Sequence, residues 1–73
     1  MVLKEKLNLI EDALELDLDS ITEDSILDDL DGYDSMGKLS IIVLADDEFN
    51  KKLTGELLRE FRTVRDLLNF FED

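Results

Sequence analysis

Ser35 is the residue whose type and setting best suit chemistry. It lies in Tyr33-Asp34-Ser35-Met36-Gly37, after an acidic stretch and before the apolar residues 39–44. The chain has no cysteine and no histidine, so the usual general base and the usual covalent nucleophile are missing. A hydroxyl offered at a helix start in such a chain suits a point of attachment. A phosphate ester there would meet the positive dipole end and the free N–H groups of the helix. The plainer reading is a serine that only caps its helix.

The remaining candidates are carboxylates. Asp28-Asp29 and Asp46-Asp47-Glu48 are runs of adjacent acids, and neighbours on a helix point in different directions, so neither run makes an acid/base dyad. A calcium loop needs Asp at its first position and Gly at its sixth. Setting Gly32 at the sixth puts Leu27 first, and setting Gly37 there puts Gly32 first. No metal site and no catalysis by the chain itself are expected.

The 73 residues correspond to one small domain, 1–73, with a small core. The net charge is −12, a field that repels nucleic acid and anionic membranes and draws basic surfaces. It is uneven: residues 7–37 hold eleven acids and no Lys or Arg, while five of the eight cations lie at Lys51 or beyond. A hydrophobic content of 44%, periodically placed, argues for a folded domain rather than a disordered acidic chain. No apolar run nears the ~20 residues that span a bilayer. The first residues lack the apolar core of a signal peptide. A cytoplasmic monomer is expected.

The elements that must position Ser35 follow from periodicity. Leu3, Leu7, Ile10 and Leu14 form one stripe of a first helix over residues 2–15, with Lys4, Lys6, Glu11, Asp12 and Glu15 off it. Residues 16–34 make a long acidic connection. Its apolar residues Leu18, Ile21, Ile26, Leu27 and Leu30 are too frequent for a free linker and should pack over the core. Ser20-Ile21-Thr22-Glu23 has capping-box form and predicts a short helical turn. Gly32 suits a turn of positive φ. A second helix covers residues 35–49, with Ser35 a preferred N-cap type and Asp34 favouring the dipole. This helix has two apolar stripes: Ile41, Ala45 and Phe49 with Ile42 beside them, and Met36, Leu39 and Val43 on another face. Surface helices normally have one. The helix is therefore buried on both sides, or its second stripe is a docking surface. Lys51 and Lys52 mark its end. Thr54-Gly55-Glu56 caps a short third helix over residues 56–61. Thr63-Val64-Arg65-Asp66 resembles a capping box and opens a fourth helix, with Val64, Leu67, Leu68 and Phe71 as its stripe and Phe70 beside them. The fold class is all-α, a small four-helix bundle with a long loop between helices one and two.

With these elements in order, the chain resembles the acyl carrier protein family over nearly its whole length. Asp34-Ser35-Met36 resembles the Asp-Ser-Leu attachment motif, and Ile21-Thr22-Glu23-Asp24-Ser25 resembles the loop before it. Glu48-Phe49 resembles the Glu-Phe that ends helix two, and Thr63-Val64 the Thr-Val that opens helix four. The resemblance implies that a phosphopantetheinyl transferase moves 4′-phosphopantetheine from coenzyme A onto Ser35, flanked by Asp34 and Met36. The arm's thiol then holds an acyl or aminoacyl group as a thioester. It further implies that Met36, Leu39, Val43, Asp46 and Asp47 meet partner enzymes with basic docking patches: a ligase, an acyltransferase or a synthase.

The sequence departs from fatty-acid carriers just after the serine. Gly37 and Ser40 stand where those usually have acids, and Lys38 adds a positive charge between them. Arg59, Arg62 and Arg65 make the far end unusually basic. Gly37 is similar to D-alanyl carriers, which read Asp-Ser-Phe-Gly, and a glycine here permits close approach of the arm or of a partner's backbone. These departures favour a dedicated pathway, such as polysaccharide or secondary-metabolite synthesis, over housekeeping fatty-acid work. A reading of another class is an acidic protein-binding module with no prosthetic group.

Overall fold

In the computed structural model, which describes residues 2–72, the four expected helices form in order. They are α1 (Leu3–Ala13), α2 (Ser35–Phe49), α3 (Gly55–Glu60) and α4 (Val64–Glu72), with one 3-10 turn at Leu27–Asp29 in the long loop. The fold is all-α, and the only β pairing among the described residues is an isolated antiparallel bridge between Ile26 and Thr63.

Helix α2 is the central element and touches α1, α3 and α4. It contributes Ile41, Leu44 and Ala45 to the core, where Ile10 and Leu14 of α1, Leu58 of α3 and Val64, Leu67, Leu68 and Phe71 of α4 converge. Phe49, at the end of α2, stacks on Phe71 with ring centroids 4.2 Å apart and planes 6° apart. Full burial of each large side chain stabilises by about 1.5–3 kcal/mol. Helix α2 is central but not buried on both sides, because its second stripe stays in solvent. Met36, Leu39 and Val43 are 74%, 57% and 51% exposed.

The long loop is tied at both ends. Near α1, the fully buried Glu11 accepts the Ser20 and Ile21 N–H groups on Oε2 at 2.9 and 3.1 Å. Near α4, the Leu27 N–H donates to Arg62 O at 2.9 Å, and the Val64 and Arg65 N–H groups donate to Ser25 O and Glu23 O at 3.0 and 2.9 Å. Arg65 also pairs with Asp24 at 2.8 Å, an exposed contact of small worth. Between these ties Ile21 and Leu27 enter the core, as the apolar content of the loop predicts.

Several local expectations are corrected. Helix α1 ends at Ala13 rather than at residue 15, because Glu15 turns left-handed at φ 59°. Leu3 of the predicted stripe is exposed, as are Leu18 and Ile26 of the loop. Ser20 starts no helical turn: its hydroxyl donates to Asp17 O at 2.6 Å, while the Thr22 N–H donates to Ser25 Oγ at 2.9 Å and closes a tight turn instead. Helix α3 is shifted one residue towards the N-terminus, with Thr54 Oγ1 accepting the Leu57 N–H at 3.2 Å. Glu11, placed off the apolar stripe with the other charges, is the buried polar side chain of α1. Its Oε2 is held by the two loop N–H groups, which offset part of the cost of burying the carboxyl, while Oε1 has no hydrogen-bond partner.

Candidate functional site

The start of α2 is set by Asp34, not by Ser35. Asp34 has the extended backbone of an N-cap, φ −108° and ψ −166°, and its Oδ1 accepts the Gly37 N–H at 2.9 Å. Its carbonyl accepts the Lys38 N–H at 2.8 Å. Ser35 is therefore the first residue of the helix, and its exposed hydroxyl is not used to hold the helix end. The first N–H groups of a helix have no partner within it. Those of Gly37 and Lys38 are taken up by Asp34, and those of Ser35 and Met36 make no such bond. Free N–H groups and the positive end of a 15-residue helix favour an anion at this point.

Two glycines bring this helix start against α1. Gly32 adopts φ +83°, and a Cβ on it would lie 2.5 Å from the carbonyl oxygen of Leu14. A Cβ on Gly37 would land on the carbonyl oxygen of Gly32 and 2.9 Å from a methyl of Leu14. The end of α1, the loop and the first turn of α2 are stacked backbone on backbone. Gly37 is buried, so the backbone it admits is that of its own chain, not an arm or a partner's backbone as the sequence suggests.

Beside the stack runs a groove of about 770 Å³ between α1 and α2. Leu9, Ala13, Leu14, Met36, Val43 and Leu44 give it an apolar lining, and Asp12, Glu15 and Asp34 are carboxylates along it. Asp34 and Met36, the chain neighbours of Ser35, line it, and Ser35 itself does not. On the neighbouring surface, the Lys38 ammonium lies over the ring of Tyr33, 5.2 Å from its centroid. Burial, and then the nearby Asp28 charge, push the Tyr33 phenol above its ordinary pKa.

The residues singled out in the sequence fall on one helix. Ser35, Asp34, Met36, Leu39, Val43, Asp46 and Asp47 are all exposed. Ser35, with its neighbours, occupies one end, and the acids the other. A phosphate ester fits the N-terminal end, where exposure, free N–H groups and a capped helix coincide.

A family described as the phosphopantetheine attachment site matches residues 7–71. The chain belongs to that family. Among its relatives is an acyl carrier protein of Thermobifida fusca (strain YX), 36% identical over 50 residues, which are 68% of this chain and 62% of that protein. An acyl carrier protein of Micrococcus luteus is 38% identical over 50 residues, 68% of this chain and 60% of that protein. The chain thus matches about three fifths of the length of these relatives. No solved structure matches it. Membership of the phosphopantetheine attachment site family makes 4′-phosphopantetheine the prosthetic group. It accords with the four-helix fold, in which no described helix is long and apolar enough to cross a membrane.

Three features of this family member escape sequence reasoning. Glu11 carries no periodic signal, because a buried acid reads as a surface one. The Gly32–Gly37 stack depends on a contact between segments, although two glycines five residues apart around the motif are a hint. The Lys38–Tyr33 contact joins helix to loop, and only Lys38's isolation among acids points to it.

Proposed function

We propose that the chain is an acyl carrier protein with its 4′-phosphopantetheine on Ser35. The observation that carries this is the division of labour at α2. Asp34 caps the helix and leaves the adjacent Ser35 hydroxyl exposed at an anion-favouring end, within a chain of the phosphopantetheine attachment site family. The group supplies a flexible arm ending in the thiol that the chain lacks, and that thiol carries cargo as a thioester. Ser35 gives the point of attachment, and Asp34 holds the helix start in place. The chain performs no catalytic step of its own. A phosphopantetheinyl transferase modifies it, and acyl- or aminoacyl-handling enzymes load and unload it.

Met36, Leu39 and Val43 form an apolar exposed stripe running from Ser35 along α2, followed by Asp46 and Asp47. That order suits a partner with an apolar groove edged by Lys and Arg. Neutralising Asp46 and Asp47 together should slow loading by a partner enzyme and weaken the salt dependence of its association rate. An unchanged rate would remove these acids from the interface.

Aminoacyl cargo is a second reading, favoured by the groove beside Ser35. Its apolar lining with Asp12, Glu15 and Asp34 along it suits a short side chain bearing an ammonium. Mass spectrometry of the thioester formed in the native host separates the two cargo classes.

Co-expression with a transferase, followed by intact-mass measurement, tests the carrier itself. The wild type should gain one phosphopantetheine and Ser35→Ala none. An unmodified wild type, or an adduct surviving Ser35→Ala, overturns the assignment. An acidic binding module without a prosthetic group would instead keep its function in Ser35→Ala.

A further inference from the structure

Lys38 stands in the wrong place for the helix and in the right place for the arm. It follows Ser35 by three residues, so the two side chains are neighbours on the surface of α2. It is the only Lys or Arg in residues 7–50, a stretch holding fourteen acids. A cation near a helix N-terminus opposes the dipole. The compensation a surface lysine usually finds is missing. The ion pairs among the described residues involve Lys6 and Arg65, and the carboxylate one turn back, Asp34, is turned to the Gly37 N–H. The ammonium rests instead over Tyr33, 5.2 Å from the ring centroid. That ring is half-buried and two residues before Ser35, so it restrains the ammonium near the attachment point. A residue that breaks a local rule with no ion pair to offset it points to function.

We propose that Lys38, held over Tyr33, is the counter-ion of the phosphodiester that joins the arm to Ser35, and so a positioning residue for the arm. This rests on the carrier reading. A phosphodiester carries one negative charge at neutral pH, and charge-assisted N–H to oxygen bonds are stronger than neutral ones. The consequence runs against expectation. Adding a negative charge to a chain already at −12 should destabilise it by self-repulsion. Here attachment supplies the anion that Lys38 lacks, and the modified chain becomes the more stable form.

The test is a cycle with modification as one leg. Wild type, Lys38→Gln and Lys38→Arg are melted before and after complete modification with excess transferase and coenzyme A, completeness being read by intact mass. Wild type should gain about 2–5 °C on modification at low salt, as expected for one favourable surface pair in a chain this small. The gain should vanish in Lys38→Gln, return in Lys38→Arg and shrink as salt is added. A merely structural lysine would shift both forms alike and leave the gain intact in Lys38→Gln, which overturns the proposal. Should Lys38→Gln resist modification, phosphorus–proton NMR of the modified wild type decides. Cross-relaxation between the phosphorus and the Lys38 ε-protons supports the contact, and its absence overturns it. Failure of the wild type to gain any adduct appears first in the mass spectrum and overturns the carrier reading itself.

Discussion

Helices α2 and α4 begin with the same two residue types, an aspartate and a hydroxyl residue, in exchanged roles. At α4 the hydroxyl caps: Thr63 Oγ1 accepts the Asp66 N–H at 3.3 Å. Asp66 Oδ2 reaches back to the Arg62 and Thr63 N–H groups at 2.9 and 3.2 Å. At α2 the aspartate caps, and no acid follows in the first turn. The α4 start is closed by its own side chains and serves stability. The α2 start leaves the hydroxyl of an exposed serine uncommitted and two N–H groups without a cap. A serine at a helix start keeps its hydroxyl free when a neighbouring residue takes over the capping.

The largest break in this comparison is all-or-none. Ser35→Ala should abolish the phosphopantetheine adduct, while Thr63→Ala retains it, both read by intact mass. The unfolding free energy of Ser35→Ala should stay within about 0.5 kcal/mol of wild type, as for exposed positions free of structural contacts. Next comes the tie that holds the loop in front of α2. Glu11→Ala strips two N–H groups of their acceptor and should cost about 3 kcal/mol in urea unfolding. A loss under about 1 kcal/mol would show that the loop is held by its apolar residues alone.

Gly37→Ala sharpens the same contrast. Alanine favours a helix by up to about 1 kcal/mol over glycine, yet here its Cβ meets the Gly32 carbonyl, and overpacking of this kind costs about 1–3 kcal/mol. The obstacle is backbone rather than a flexible side chain, so the overpacking term should win and the unfolding midpoint should fall. Thr63→Ala removes a cap and should cost about 1 kcal/mol, measured the same way. The smallest effect is that of pH. Hydrogen bonds from the Arg62 and then the Thr63 N–H groups hold the Asp66 carboxyl below its ordinary pKa of 3.8. A depressed folded-state value contributes stability above the unfolded pKa and loses it as pH falls through the folded one. Wild type should therefore lose more stability than Asp66→Asn in acid titrations below about pH 4. Parallel acid limbs would count against a closed α4 start.

Much of this was legible in the residues because the signals are local. The stripes of Ile10–Leu14 and Val64–Phe71, and the Thr63–Asp66 capping box, lie within one element each and survive in the fold. Ser35 was legible as an exposed hydroxyl at a helix start. Which of Asp34 and Ser35 would cap was not, since both are good caps and the backbone at Asp34 decides. Equally, Leu18 and Ile26 read as core but lie exposed, while Glu11 reads as surface but is buried. Each of these depends on how the long loop crosses α1 and the α3–α4 turn, a contact between distant segments that no local period encodes.

The ring under Lys38 has an optical consequence. Tyr33 is the single tyrosine of a chain without tryptophan, so essentially all of its near-ultraviolet emission originates two residues from Ser35. Phenol fluorescence responds to a neighbouring ammonium and to a change in its surroundings. Each molecule therefore contains an unlabelled reporter beside Ser35, and modification, loading and docking can be followed in real time without introducing a dye.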